Sequence, residues 1–294
     1  MRAELTGESR QPHAPSIDTQ VPLASPISVH QDMGHAGLES RLRDLLDRRR
    51  TNSTLRSLTL PQPDQVDFSS NDFLSLSTSS QLKSLYLEEL QNSNLPLGSG
   101  GSRLLDGNSK YAEELERDIA AFHGAEAGLL FNSGFDANAG FFACVPQSGD
   151  VIVYDELVHA SVHDGMRLSR AGDRLSFQHN TVASLRDILT RLLEDDGVRD
   201  GKRSVFVAVE SIYSMDGDVC PLKDVVDVVE EIMGLQRGYV VVDEAHSTGV
   251  LGPKGRGLVC ELGLEHRIYA RLHTFGKAIA ANGGRSTTGR VDKD

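Results

Sequence analysis

Lys277 stands in the stretch HTFGKA, between Gly276 and Ala278. Most lysines are solvated surface amines. One that follows a short apolar segment and a glycine can instead be a nucleophile, because burial disfavours the ammonium form and frees the amine. A group of complementary type lies upstream. The apolar run GYVVVD ends in Asp243, with His246 and Gly249 in the turn that follows. A strand-ending aspartate commonly does no more than cap the next element. A carboxylate there can also keep a heterocyclic nitrogen protonated, and a cationic ring draws electrons from a carbanion far better than a neutral one. A lysine amine with an acidic partner for a ring nitrogen is what pyridoxal phosphate requires of a protein. The chain between the two residues is long enough for one helix and one strand. The tetrapeptide DEAH also occurs in helicases, but there it accompanies a GxxxxGK[ST] loop, and this sequence has none.

Three further stretches offer partners for such a cofactor. In LLFNSGFDANAG a strand ends at Phe131, and Asn132, Ser133 and Gly134 open a helix. Main-chain N–H groups at a helix start bind phosphate without a basic side chain, although an ordinary Ser/Gly-capped turn looks the same. YDELVHAS puts His159 where a helix begins after a strand, able to lay its ring against a flat cofactor. A single histidine there is more often structural. ESIYSMDGD puts Ser214 in the loop after VFVAVE, within reach of a ring oxygen or a phosphate. The Gly-rich LGSGGSRLLDGNS lacks a fitted GxGxxG and a strong preceding strand, which removes a dinucleotide reading. It is a plain turn, or a place where backbone approaches a ligand or neighbouring subunit.

The elements that must position these residues alternate. Leu38, Leu42, Leu45 and Leu46 recur at helical spacing and predict a helix over 37–50. STSSQLKSLYLEEL predicts a second, and NSKYAEELERDIAAFHG a third, starting near Ser109 and stopped by Gly124. Beyond them the apolar runs AGLLFN, DVIVYD, RLSFQ, SVFVAVE, GYVVVDE and RIYARL alternate with amphipathic segments such as VASLRDILTRLLEDD and LKDVVDVVEEIMGL. Strands rich in β-branched residues between helices predict an α/β fold, a mainly parallel sheet covered by helices on both faces. In such sheets ligands sit at the carboxyl ends of the strands, where the residues above lie.

Bulk properties agree. The 294 residues, 39% hydrophobic and 24% charged, suit a globular protein with a sizeable core. A formal charge of −12 argues against a nucleic-acid partner, which needs a basic face. No run approaches the roughly 20 apolar residues of a membrane helix. Cys144, Cys220 and Cys260 are dispersed, without a CxxC pair, and read as buried thiols in a reducing compartment. Residues 1–35, rich in Pro, Ser, His and Gln, read as a disordered leader. Glu4, Glu8 and Asp18 count against an organellar presequence, so a cytoplasmic location is expected.

Seven ordered motifs together carry a family resemblance: FSSNDFLSLS, GSGGSRLLDGNS, FNSGFDANAG, DELVHAS, ESIYSMDGD, VVDEAHSTGVLGPKGRG and TFGKA. Over residues 38–284 the chain resembles the α-oxoamine synthases, pyridoxal-phosphate enzymes of fold type I that join an amino acid to an acyl-CoA with loss of carbon dioxide. GSGGSR and TFGKA are most similar to the biotin-pathway branch. The resemblance implies that Lys277 carries the cofactor as a Schiff base and that Asp243 partners the ring nitrogen. It implies that His246 and Ser214 meet the ring's phenolic oxygen region and that His159 stacks on the ring and meets substrate. Gly134 and Phe135 then contact the phosphate, Thr274 is a further cofactor contact, and Arg56 and Asn71 are substrate-side positions. Implied partners are alanine or glycine, a pimeloyl-CoA-like thioester and a second copy of the chain in a homodimer. Glycine acetyltransferase, 5-aminolevulinate synthase and secondary-metabolite synthases are alternative branches. Serine palmitoyltransferase is disfavoured by the lack of a membrane segment.

The pattern departs from the family after Lys277. The expected division is a leader (1–35), a helical segment (36–66), an incomplete cofactor-binding large domain (67–284) and a polar, unpatterned tail (285–294). The family's C-terminal small domain is read as missing, and the expectation is either a shortened synthase or a non-catalytic partner subunit.

Overall fold

The computed structural model describes residues 36–60, 62, 64–96 and 98–288. The leader assigned to residues 1–35, and residues 289–294 of the expected tail, lie outside the described residues. The chain divides into two units, Met1–Val66 and Asp67–Asp294. In the first, helix α1 (Ala36–Thr51) places Leu38, Leu42, Leu45 and Leu46 at helical spacing. Glu39 in its first turn and Arg48, Arg49 and Arg50 in its last complement the helix dipole.

The second unit opens with α2 (Ser80–Asn92) and α3 (Lys110–Phe122). Serine side chains cap both, Ser79 accepting from Leu82 N and Ser109 from Ala112 N, each at 3.2 Å. The α3 helix ends at Gly124, whose φ of +65° terminates it at little steric cost. There follow β1 (Ala127–Phe131), α4 (Gly134–Cys144), β2 (Val151–Asp155), α5 (Ala160–Leu168), β3 (Asp173–Phe177) and α6 (Val182–Leu192). The series continues with α7 (Asp196–Arg199), β4 (Val205–Glu210), α8 (Leu222–Met233), β5 (Gly238–Asp243), α9 (Leu258–Glu261), β6 (Ala270–Thr274) and β7 (Gly284–Thr288).

The strands form one sheet in the order β1-β7-β6-β5-β4-β2-β3. All neighbouring pairs are parallel except those of β7, which runs antiparallel to both β1 and β6. The period-2 pleat divides the core in two. Val205, Val207 and Val209 pack with Leu185, Leu189, Val225 and Val229 of α6 and α8 on one face. Phe206 and Ala208 pack with Phe141, Phe142, Val162 and Met166 of α4 and α5 on the other. Both faces are therefore covered, as the β-branched strand runs predict.

Two expectations need correction. Residues 285–288 are not an unpatterned tail. They belong to β7, seated inside the sheet, with Ser286 and Thr287 buried. A strand with neighbours on both sides is held by its ladder, and threonine suits a pleated surface without an apolar pattern. Cys144 is exposed, whereas Cys220 and Cys260 are buried.

The parallel register brings Asp155, Glu210, Asp243 and Thr274 to one edge of the sheet. Because β7 is antiparallel, its first residue, Gly284, joins that edge opposite Phe131 and Thr274. A Cβ on Gly284 would lie 2.3 Å from Gly134 N, so the backbone contact there requires glycine.

Candidate active site

A cavity of about 220 Å³ opens at this edge, lined among others by Gly134, His159, Glu210, Asp243, His246 and Lys277. Its wall starts at the N-terminus of α4. The Ser133 side chain accepts from Asp136 N at 3.0 Å and donates to Asp136 Oδ2 at 2.9 Å, an N-cap that fixes the first turn. The N–H groups of Gly134 and Phe135 precede any intrahelical acceptor and carry the positive end of the helix dipole. Gly134 packs on Thr274 so closely that a Cβ would lie 2.8 Å from the threonine Cβ.

Asp243, at the end of β5, is 8% exposed. Its Oδ1 accepts from Ala245 N at 2.9 Å and its Oδ2 from Asn138 Nδ2 at 2.7 Å. The same Asn138 amide donates to Ser161 Oγ at 3.1 Å. Ser161 Oγ is 2.7 Å from His159 Nδ1, and Ser161 N donates to that nitrogen at 3.2 Å. With Nδ1 as acceptor, the ring proton belongs on Nε2. A polar chain, buried as far as Ser161, therefore runs from Asp243 through Asn138 and Ser161 to His159 at the surface. Glu210, paired in register with Asp243, accepts from His159 N at 2.5 Å. Burial, and then the negative charge of Asp243, pushes the Glu210 carboxyl well above the usual carboxylate range.

Opposite these groups, Lys277 Nζ lies 2.9 Å from His246 Nε2. Burial holds the Lys277 amine below the usual lysine range, against the pull of Asp243 and Glu210. His246 is lowered to about 4, first by burial and then by the lysine charge. It is thus a neutral acceptor at physiological pH. The turn carrying Lys277 is closed by Ala280 N donating to Lys277 O at 2.8 Å, with Ala280 in a left-handed conformation at φ +53°.

The structure thus gathers Lys277, Asp243, His246, His159, Gly134, Phe135 and Thr274 around one cavity. Ser214 is exposed and off its lining, contrary to expectation. The turn after β4 closes through the Ile212–Val219 bridge and sends Tyr213 inward, which leaves Ser214 pointing out. Asn71 is likewise exposed and absent from the lining. Arg56 belongs to the other unit and is exposed. Sequence reasoning missed Asn138, Ser161 and Glu210. Glu210 ends an apolar strand just as Asp243 does, and Asn138 lies one helical turn beyond Gly134.

Fold and site together match a known class. The aminotransferase class I and II family matches residues 63–288, and the chain belongs to it. The chain is 55% identical over 249 residues to 8-amino-7-oxononanoate synthase of Emericella nidulans, covering 84% of this chain and 60% of that protein. It is 44% identical over 247 residues to aminoacyl transferase sphA of Byssochlamys spectabilis, covering 82% and 53%. A serine palmitoyltransferase variant from S. paucimobilis, solved with PLP–myriocin bound, superposes with a TM-score of 0.68 at 27% identity, covering 87% of this chain and 63% of that one. The chain thus spans less than two thirds of the length of each. No helix among the described residues is long and apolar enough to cross a membrane.

Proposed function

We propose that the chain binds pyridoxal phosphate at Lys277 and contributes the catalytic face of an α-oxoamine synthase of the 8-amino-7-oxononanoate synthase type, which serves biotin formation. The observation that carries this reading is the half-buried Lys277 amine sharing a cavity with a carboxylate, Asp243, that already takes donors on both oxygens. The residues fit the cofactor's chemistry. The glycine contact at the α4 N-terminus leaves room and two N–H groups for a phosphate, and the lysine suits an aldehyde carbon. Asp243 suits a protonated ring nitrogen, and His159 a ring face.

When bound, the cofactor supplies an electron sink for a carbanion at the amino-acid α-carbon. In the proposed reaction that carbon bonds to the thioester carbonyl of an acyl-CoA. CoA leaves as the thiol and the α-carboxylate leaves as carbon dioxide. Lys277 Nζ, held toward its free-amine form, accepts a proton from the α-carbon as general base. Neutral His246 orients that amine through Nε2. Asp243 holds a proton on the ring nitrogen opposite, and Asn138 fixes the carboxylate that does so. Glu210 holds the turn bearing His159. We assign alanine or glycine and a pimeloyl-CoA-like thioester as substrates, a homodimer as the working form and the cytoplasm as its location. The identity to sphA supports a second reading, a synthase for another amino-acid and acyl pair.

Titration of the protein with pyridoxal phosphate, followed by borohydride reduction and peptide mapping, tests the core of the reading. Label on the peptide containing Lys277 supports it, and label on Lys254 or Lys110 instead overturns it. CoA release with alanine and pimeloyl-CoA, against glycine and shorter or longer acyl-CoAs, separates the two substrate readings.

A further inference from the structure

A second titratable cluster sits at the same sheet edge, outside the cavity. His179, in the turn after β3, has Nδ1 2.8 Å from Asp155 Oδ1 and Nε2 2.6 Å from Asp218 Oδ2. A neutral imidazole has one N–H, and a carboxylate oxygen only accepts. Both nitrogens face carboxylate oxygens at the shorter distances, which favours the doubly protonated ring over a neutral one whose Nε2 would accept from Asn180 Nδ2 at 3.3 Å. The Asp155 side chain is 1% exposed and that of His179 21%, so the pair is sheltered from solvent. Neighbouring donors lock the same atoms. Leu157 N donates to Asp155 Oδ1 at 2.9 Å, Asn180 N to Asp155 Oδ2 at 2.8 Å, and Asn180 Nδ2 to Asp218 Oδ2 at 2.5 Å. His179 N donates to Glu156 Oε1 at 3.0 Å, and the Tyr213 ring stands edge-on to the imidazole at 4.4 Å.

The three segments joined are not arbitrary. Asp155 ends β2 and leads directly into the turn that presents His159. Asp218 belongs to the turn that begins after Glu210, and that turn also supplies Tyr213. We propose that His179 is a positioning residue, an imidazolium clamp that holds the turn carrying His159 to the turn that follows Glu210. The clamp acts whether or not the cofactor reading holds.

The groups facing His179 are Asp155 and Glu156 from the end of β2, and Asp218, Tyr213 and the Cys220 thiol near Asp155 from the turn after β4. Burial pulls the histidine pKa down, and hydrogen bonds and charge from Asp155 and Asp218 more than offset it, for a net rise. A raised folded-state pKa gives a contribution that is complete below the ordinary histidine value of about 6.5 and is lost as pH rises through the folded value. The clamp therefore opens on the alkaline side.

Histidine-selective ¹⁵N NMR of the full chain without cofactor, from pH 6 to 10, reads this directly. Both His179 nitrogens should be protonated at pH 7, with a midpoint above 6.5 that Asp218→Asn lowers. Amide exchange supplies the mechanical readout. Protection at residues 157–161 should fall roughly tenfold or more in His179→Gln, the loss expected for a charge-assisted hydrogen bond. Protection in β5 should be unchanged. In the unsubstituted protein the same amides should lose protection, beyond the intrinsic pH effect, in step with His179 deprotonation. A neutral His179 at pH 7, or unchanged protection of 157–161 in His179→Gln, would overturn the proposal. The nitrogen spectrum decides the first point even if a variant fails to fold.

Discussion

Asn138→Asp tests whether the hydrogen bond beneath Asp243 holds a carboxylate in place. The substitution keeps the shape of the side chain and replaces the Nδ2 donor by an oxygen about as far from Asp243 Oδ2, a separation of 2.7 Å in the native pair. Asn138 is 3% exposed, so solvent screens the new pair poorly. Two like charges about 3 Å apart repel by about 5 kcal/mol at an effective dielectric constant of about 20. That corresponds to about 4 pKa units, so one proton stays on the folded pair well past neutrality. The unfolded carboxyl ionises near 3.9. The introduced group thus has a raised folded pKa, and its stability contribution is lost as pH climbs from that value. The loss grows by about 1.4 kcal/mol per pH unit and reaches about 4 kcal/mol at pH 7. Near pH 4 the variant should be close to the parent, because a protonated carboxyl donates to Asp243 as the amide did. Urea unfolding of both proteins at pH 4, 5, 6 and 7 measures the slope. An Asn138→Leu control should lose about 2–3 kcal/mol at pH 7, the cost of stripping a donor from a buried carboxylate, and its loss should not grow as pH rises from 6 to 7. A stability difference for Asn138→Asp that stays flat across the range would refute the reasoning.

Lys277→Ala removes the charge beside His246, so the His246 pKa should rise from about 4 toward the ordinary histidine range; NMR titration of the ring checks it. Glu244 is fully buried, and burial raises its carboxyl to about 7, so its contribution to stability falls as pH rises from 4.5 to 7. Glu244→Gln keeps the acceptor for Val259 N and should therefore raise the melting temperature at pH 8 relative to the parent while changing it little at pH 4. Gly134→Ala places a Cβ 2.8 Å from the Thr274 Cβ and should cost about 1–3 kcal/mol, with Thr274→Gly in the same chain, which removes that Cβ and the Oγ1 3.1 Å away, recovering part of it in thermal melts.

The sequence announced strands that are apolar on both faces. SVFVAVE and GYVVVDE combine length, β-branching and a flanking polar residue, a combination that amphipathic helices do not show. It was silent about β7, because GRSTT draws its place from ladders with two neighbours and not from its side chains. RIYARL reads as a strand, yet β6 runs on to the polar His273 and Thr274, and the burial of His273 depends on what packs over it. Chemistry followed the same division. Lys277, Asp243 and His246 stand out because type and location coincide. Asn138 does not, because an asparagine inside a helix acquires its role only from the carboxylate that the fold brings beside it. Ser214 lies off the cavity for a related reason: which of two successive loop residues points inward is decided by the turn, and here Tyr213 takes that place.

The division of labour between the site's two carboxylates follows from their donors. Asp243 and Glu210 end neighbouring strands in register, and the charge of Asp243 raises the cost of ionising Glu210. Asp243 has N–H donors on both oxygens, whereas among the described residues the donor to Glu210 is the main-chain N–H of His159. Burial and the charge of Asp243 push the Glu210 carboxyl up to about 8, so Glu210 keeps its proton at neutral pH. A neutral Glu210 in turn removes one of the two anions that would hold a proton on Lys277. The free amine therefore depends on a carboxyl that never needs to touch it. Ionising Glu210 and deprotonating Lys277 oppose each other, which spreads the lysine's titration over a wider pH range than a lone amine would show. Glu210→Gln makes that neutrality permanent while leaving an acceptor for His159 N. It should lower the Lys277 pKa and narrow its titration, both measurable from the pH dependence of acylation at Lys277 in protein without cofactor. A Lys277 titration left unchanged by Glu210→Gln would mean that the two groups are electrostatically independent and that Asp243 and burial alone set the amine.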